Sequence, residues 1–296
     1  MKHHFRVYGV EPQKKNTLWA WILSWIRSLN LTGGLILVNI LIFILIFLLE
    51  IIFGQPIITS RLALQANNFF NNGYIWTLLT SMFMHASFFH LFVNMFSLFF
   101  LGKFLEMILG KKRFFWFYLL AGIFAGLFFV VLSYFFGGSL IGAKIFGAPG
   151  VYAVGASGAI FALAGVLALL TPRNRVYLIA GPLIALIAGA VIMAFIQNQA
   201  LLNTLDFIIM IYIFISIFSM FSANPRTRAI SIPIAMPFWF LPIAAIVPLV
   251  LIGFFVELPI GNMAHLGGFI AGALYGVYLR LRYKRKTRII SEYFSR

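Results

Sequence analysis

A succession of apolar runs, each near the length of a helix crossing a bilayer, constrains this chain more than any other feature. Leu35–Phe53 alone is 19 residues long and holds a single charged side chain, Glu50. A spanning helix needs about 20 such residues to cross about 30 Å of hydrocarbon. Hydrocarbon offers no partner for backbone N–H and C=O groups, so apolar runs of this length must close their own hydrogen bonds as helices. Composition agrees: 62% of the 296 residues are hydrophobic, 9% are charged, and mean hydropathy is +1.02. A soluble domain carries about 25% charged residues. The sequence therefore predicts an all-α polytopic membrane protein.

Further runs follow at about 87–109, 114–136, 157–170, 176–196, 205–221, 238–255 and 263–281, which makes eight predicted spans. A non-cytoplasmic loop is expected over 54–75 and a Gly-rich one over 137–150. Ahead of the first span, residues 1–16 are polar and basic, with no cleavable signal, and Leu18–Leu29 carries three Trp. That stretch is too short to span and reads as a helix at the interface, where indoles prefer to sit. With both termini cytoplasmic, 20 of the 22 Lys and Arg fall on the inner side, and only Arg61 and Lys144 fall outside. The positive-inside rule thus favours an even number of spans. It also accounts for the net charge of +16 without a nucleic-acid partner. The chain has no Cys, which excludes disulfides, thiolate metal sites and a Cys nucleophile.

Polar side chains inside spans are costly and so are functional candidates. Five stand out: His85, His90, Asn94, Ser157 and His265. Ser157 lies 15 residues before Pro172, and His265 lies 15 before Arg280. At 1.5 Å per residue, each sits about 22 Å above the cytoplasmic face. Asn94 is 17 residues from Lys111 on the same side, about 25 Å up, and His90 is one turn from it on the same helix face. Four polar groups on three helices are thus expected at one level. Gly155, Gly158 and Gly165 narrow one of these helices, and Gly268, Gly272 and Gly276 give another a doubled G-x-x-x-G packing face. A Ser157–His265 hydrogen bond would activate the hydroxyl. Free N–H groups where Ser157 opens its helix would stabilise an oxyanion, with Asn94 and His90 as further donors. No acid is close in sequence: Glu257, eight residues before His265, is the nearest. Ser157 also reads as an ordinary N-cap, and each His as a satisfied core residue.

The motifs HASFFHLFVNMFSLFFLGKFLE (85–106), GASGAIFALAG (155–165) and NMAHLGGFIAGALYG (262–276) resemble those of the rhomboid intramembrane serine proteases. The resemblance covers roughly 33–172 and 225–281 and implies a six-helix rhomboid-like core. By that resemblance Ser157 is the nucleophile and His265 the base. His90 and Asn94 line the oxyanion hole with Ser157, and His85, Gly155, Gly158 and Phe161 support the site. It further implies single-span membrane proteins as substrates and no metal or cofactor. Three departures stand out: Trp76-Thr77 replaces the family's frequent Trp-Arg, Phe161 replaces a Tyr, and Ser157 and His265 are 108 residues apart, about twice the usual separation. The excess matches a two-helix insertion over 176–221; the similar stretches Pro172-Arg173-Asn174-Arg175 and Pro225-Arg226-Thr227-Arg228 read either as its duplicated junction or as ordinary Pro and Arg helix stops at a cytoplasmic face. The domains expected are an interfacial segment (1–32), the membrane domain (33–281) and a basic tail (282–296). The resemblance points to the 238–255 span as a gate for substrate access, with Phe238 and Trp239 as its plug. The cell membrane of a prokaryote is the expected location. A catalytically inactive rhomboid-like binder and, more remotely, a transporter are the competing readings.

Overall fold

A computed structural model describes residues 30–54, 57–193, 195–253 and 261–294. The expected interfacial helix at 18–29 and Glu257 lie outside the described residues.

Helix α1 (Leu31–Phe53) begins where Asn30 Oδ1 accepts the Gly33 N–H at 2.8 Å, and it ends at Gly54. Two short helices follow, α2 (Ile57–Leu62) and α3 (Ala66–Asn72), then a turn, α4 (Thr77–Thr80). The expected loop over 54–75 is thus partly helical. Helix α5 (Phe88–Leu109) starts on the Ser87 cap and passes through a π-helical turn at Leu98–Gly102. Helix α6 (Lys111–Phe136) leads to the short α7 (Leu140–Phe146), and then to α8 (Ser157–Leu170).

Strand β1 (Arg175–Ile179) and helix α9 (Ala180–Met193) follow, then α10 (Gln199–Ser219), α11 (Pro225–Ala229) and strand β2 (Pro233–Pro237). A 3-10 turn over Phe238–Phe240 runs into α12 (Leu241–Gly253). The chain closes with α13 (Asn262–Arg282) and the basic α14 (Lys284–Tyr293).

Four of these helices, α1, α5, α6 and α10, are long and apolar enough to cross a membrane. The predicted span at 176–196 is shortened: its first residues form β1, and the helix that remains, α9, has 14 residues and rises about 21 Å, the same length as α8. Strand β1 pairs antiparallel with β2, from Arg175 opposite Pro237 to Ile179 opposite Pro233. The ladder therefore holds the two ends of the 180–232 segment, which contains α9 and α10, beside each other.

Helix α8 is the axis of the core: from Gly158 to Leu170 it is almost wholly buried, against α5, α6, α12 and α13. A methyl group on Gly268 would overlap the Gly158 carbonyl oxygen, and one on Gly272 the Ala162 carbonyl oxygen. A Cβ on Gly165 would lie 2.6 Å from the Phe269 carbonyl oxygen. The backbones of α8 and α13 thus touch at three glycines, the close approach expected of small residues in membrane helices. Around this core lies a belt of exposed large apolar side chains, among them Leu41, Phe47, Trp116, Leu120, Phe214 and Leu274. Contiguous apolar surface on this scale requires lipid rather than water. The chain is an integral membrane protein.

One buried acid ties the outermost helix to the core. Glu106 of α5 accepts the Leu31 N–H at 2.9 Å, the Thr32 N–H at 2.8 Å and the Thr32 hydroxyl at 2.6 Å. It occupies free donors at the start of α1, where a negative charge also meets the positive end of the helix dipole.

Candidate active site

Helix α8 has 14 residues and rises about 21 Å, short of the roughly 30 Å of a hydrocarbon core. Its first residue is Ser157, and no side chain caps that end. Its first helical bond runs from the Ile160 N–H to the Ala156 carbonyl. The N–H groups of Ser157, Gly158 and Ala159 therefore have no acceptor within the helix.

The contact between α8 and α13 sets what Ser157 meets. Gly158 lies against the start of α13, 3.5 Å separating its would-be Cβ from the Ala264 carbonyl oxygen. The next residue is His265, whose Nε2 lies 2.8 Å from Ser157 Oγ. The imidazole is buried and stacks on Phe161, with ring centroids 4.4 Å apart and planes at 23°. Phe161 is one turn beyond Ser157, so one helix holds both the hydroxyl and the surface that orients its partner. His265 Nδ1 is buried and has no hydrogen-bond partner among the described residues. For Nε2 to accept the Ser157 proton, Nδ1 must carry the ring's own hydrogen. Among the described residues the ring is held by packing on Phe161 and not by a carboxylate.

The second wall comes from α5. The Ser87 hydroxyl accepts the His90 N–H at 3.1 Å and so starts that helix, with His90 and Asn94 one turn apart on the same side. The buried Asn94 donates from Nδ2 to the His90 carbonyl at 2.9 Å, which uses one of its two amide hydrogens. Gly155 joins this wall to α8. Its φ of +122° suits glycine alone, and a Cβ there would lie 2.8 Å from His90 Nε2 and 3.8 Å from Asn94 Nδ2. The Gly155 N–H donates to the Ser81 carbonyl at 2.9 Å. Glycine thus lets the backbone just before Ser157 lie against both polar side chains. His85 is buried and meets His90 edge-on, with ring centroids 5.2 Å apart.

Residues 72–221 match the family model of the rhomboid domain. The chain belongs to the rhomboid family. The matched stretch contains His85, His90, Asn94 and Ser157, whereas His265 lies beyond it. The putative rhomboid protease YdcA of Bacillus subtilis (strain 168) is 37% identical over 133 residues, 43% of this chain and 59% of that protein. RHOMBOID-like protein 1 of Arabidopsis thaliana is 38% identical over 93 residues, 31% of this chain and 20% of that protein. Inactive RHOMBOID-like protein 8, also of Arabidopsis thaliana, is 39% identical over 79 residues, 27% of this chain and 22% of that protein. The chain thus spans less than two thirds of these relatives.

Within this rhomboid domain, two expectations from sequence need restating. Where the sequence has Thr77 in place of an Arg, Arg61 packs against the neighbouring Tyr74 and Trp76. Its guanidinium donates to the Tyr74 hydroxyl at 3.0 Å and lies 5.7 Å from that ring's centre, while the Trp76 indole donates to the Arg61 carbonyl at 2.8 Å. Sequence reasoning missed this cluster, because Arg61, on a short helix, and Tyr74, in a loop, are 13 residues apart. Secondly, Phe238 and Trp239 do not stand beside Ser157. Their N–H groups bond the carbonyls of Asn174 and Pro172, beyond the far end of α8, and Phe238 is buried in the core there. Expecting a plug at the start of that span ignored its direction: it begins at the end of α8 remote from Ser157.

Proposed function

We propose that this chain is an intramembrane serine endopeptidase that cuts single-span membrane proteins within or near the outer part of the bilayer. The observation that carries the proposal is the 2.8 Å contact between His265 Nε2 and Ser157 Oγ at the uncapped start of a helix too short to reach both surfaces. In this reading Ser157 Oγ attacks the substrate carbonyl carbon while its proton passes to His265 Nε2. The carbonyl oxygen becomes an oxyanion, which accepts hydrogen bonds from the Ser157 N–H, Asn94 Nδ2 and His90 Nε2. As the tetrahedral intermediate collapses, His265 returns the proton to the leaving amine and the peptide bond breaks. A water, deprotonated by the same nitrogen, then attacks the Ser157 ester, and the released Ser157 oxygen recovers its proton. In this reading the dyad supplies nucleophile and base, and Asn94, His90 and the Ser157 N–H supply the oxyanion donors, so the chemistry calls for no metal or cofactor.

The rest of the functional reading follows from topology. We assign eight crossings with both termini cytoplasmic, on the asymmetry of Lys and Arg, and the cell membrane of a prokaryote as the location. The membrane domain runs over 33–281, between an interfacial segment and a basic tail. Helix α12, flanking α8, is the gate through which a substrate helix reaches Ser157. The α9–α10 pair bridges the gate's two sides. At one end β2 leads through the 3-10 turn into α12, while the rings of Phe214, Phe218 and Phe221 pack against Phe92, Phe96 and Phe100 of α5. The pair therefore screens the gap between α5 and α12 and selects what passes.

A fluorophosphonate probe tests the dyad without knowledge of a substrate. Peptide mapping should find the adduct on Ser157 in the wild type and none in Ser157→Ala or His265→Ala. An inactive binding protein, the alternative that the plant relative's name raises, would leave folded wild type unlabelled.

A further inference from the structure

Away from Ser157, a groove of about 610 Å³ runs along the outside of the bundle between α6 and α13. Two small residues, Ala121 of α6 and Ala271 of α13, line it together with the stacked rings of Phe117 and Tyr275 at 4.7 Å. Exposed Trp116, Leu120, Phe124 and Leu274 form its rims. The lining is apolar except at one end, where it finishes on Lys112 and Arg113.

We propose that this groove binds one anionic phospholipid from the leaflet on the basic side of the protein. Its acyl chain lies along Ala121 and Ala271, and its phosphate rests on Lys112 and Arg113. Three observations converge on that occupant. From Lys112 to Phe124 is 12 residues, or about 18 Å of helix, close to the roughly 15 Å of hydrocarbon in one leaflet. The cations stand at one end of the groove only, where a headgroup would lie. No acidic residue lines the groove, and neither cation has an ion-pair partner among the described residues. Arg113 and Arg282 lie 5.6 and 5.9 Å from the centre of the Tyr283 ring, which gathers a third cation at that end. Basic pockets between spanning helices at the cytoplasmic face are suited to acidic headgroups. The site rests on the membrane placement of α6 and α13, not on the proteolytic activity.

Native mass spectrometry of protein equilibrated in nanodiscs of equal phosphatidylglycerol and phosphatidylcholine tests the site. Wild type should retain phosphatidylglycerol preferentially. Lys112→Gln with Arg113→Gln should weaken that retention about thirtyfold, from the contribution of two cations near a membrane surface. The distant pair Arg226→Gln with Arg228→Gln should leave it unchanged. Ala271→Phe, which fills the groove, should reduce retention of any lipid. Equal retention of both lipids by wild type would overturn the proposal, as would unchanged selectivity in the Lys112 and Arg113 variant. So would displacement of the lipid by millimolar inorganic phosphate, or a dimer in place of the bound lipid.

Discussion

At the scale of single residues, the account turns on how few atoms surround Ser157 Oγ. Asn94 keeps one amide hydrogen free after bonding the His90 carbonyl, and that hydrogen is the one an oxyanion would take. Asn94→Ala should lower kcat about a hundredfold to a thousandfold with little change in KM, as for loss of an oxyanion donor elsewhere. A matching rise in KM instead would mean that Asn94 binds substrate. Gly155→Ala puts a methyl group against the His90 ring at a φ that only glycine adopts freely, so activity should fall well before melting temperature does. The pairing of Ser157 with His265 was legible in sequence, because each stands 15 residues before a helix-end residue, Pro172 and Arg280, and the two side chains meet at 2.8 Å. Sequence was silent on the Arg61–Tyr74–Trp76 cluster and on the Gly155–Ser81 bond, because both depend on how short elements fold back rather than on helical spacing.

At the scale of elements, α8 and α13 form one unit whose fit is set by glycines. Gly268→Val should lower melting temperature strongly, since overpacking costs about 1–3 kcal/mol even where neighbours yield and here the obstacle is backbone. That packing face was readable from its period of four. Glu106 was not singled out, because its partners are the backbone donors of a helix 74 residues away in sequence. Glu106→Gln keeps the shape but removes the charge, and should cost about 1–2 kcal/mol, seen as lower thermal stability with the catalytic rate per folded molecule retained. The β1–β2 ladder escaped the sequence reading for a different reason. Val176–Ile179 is a four-residue apolar run continuous with the following helix, and periodicity cannot separate a short strand from a helix start.

At the scale of the whole molecule, the proposed topology rests on the asymmetry of Lys and Arg and on the apolar belt. The absence of Cys makes every engineered thiol unique. Asn72→Cys and Thr287→Cys should be modified by a membrane-impermeant maleimide from opposite sides, and Arg226→Cys from the same side as Thr287→Cys. Labelling of the first pair from one side would overturn the eight-crossing arrangement. The most direct test of the central claim is cleavage by purified protein in liposomes that contain a single-span substrate with a helix-destabilising, small-residue segment. The account predicts one major cut near the outer part of the bilayer by wild type. It also predicts loss to background with Ser157→Ala, the counterpart of the roughly millionfold loss when a soluble serine protease loses its nucleophile. Cleavage that persists at the wild-type rate in Ser157→Ala would contradict it.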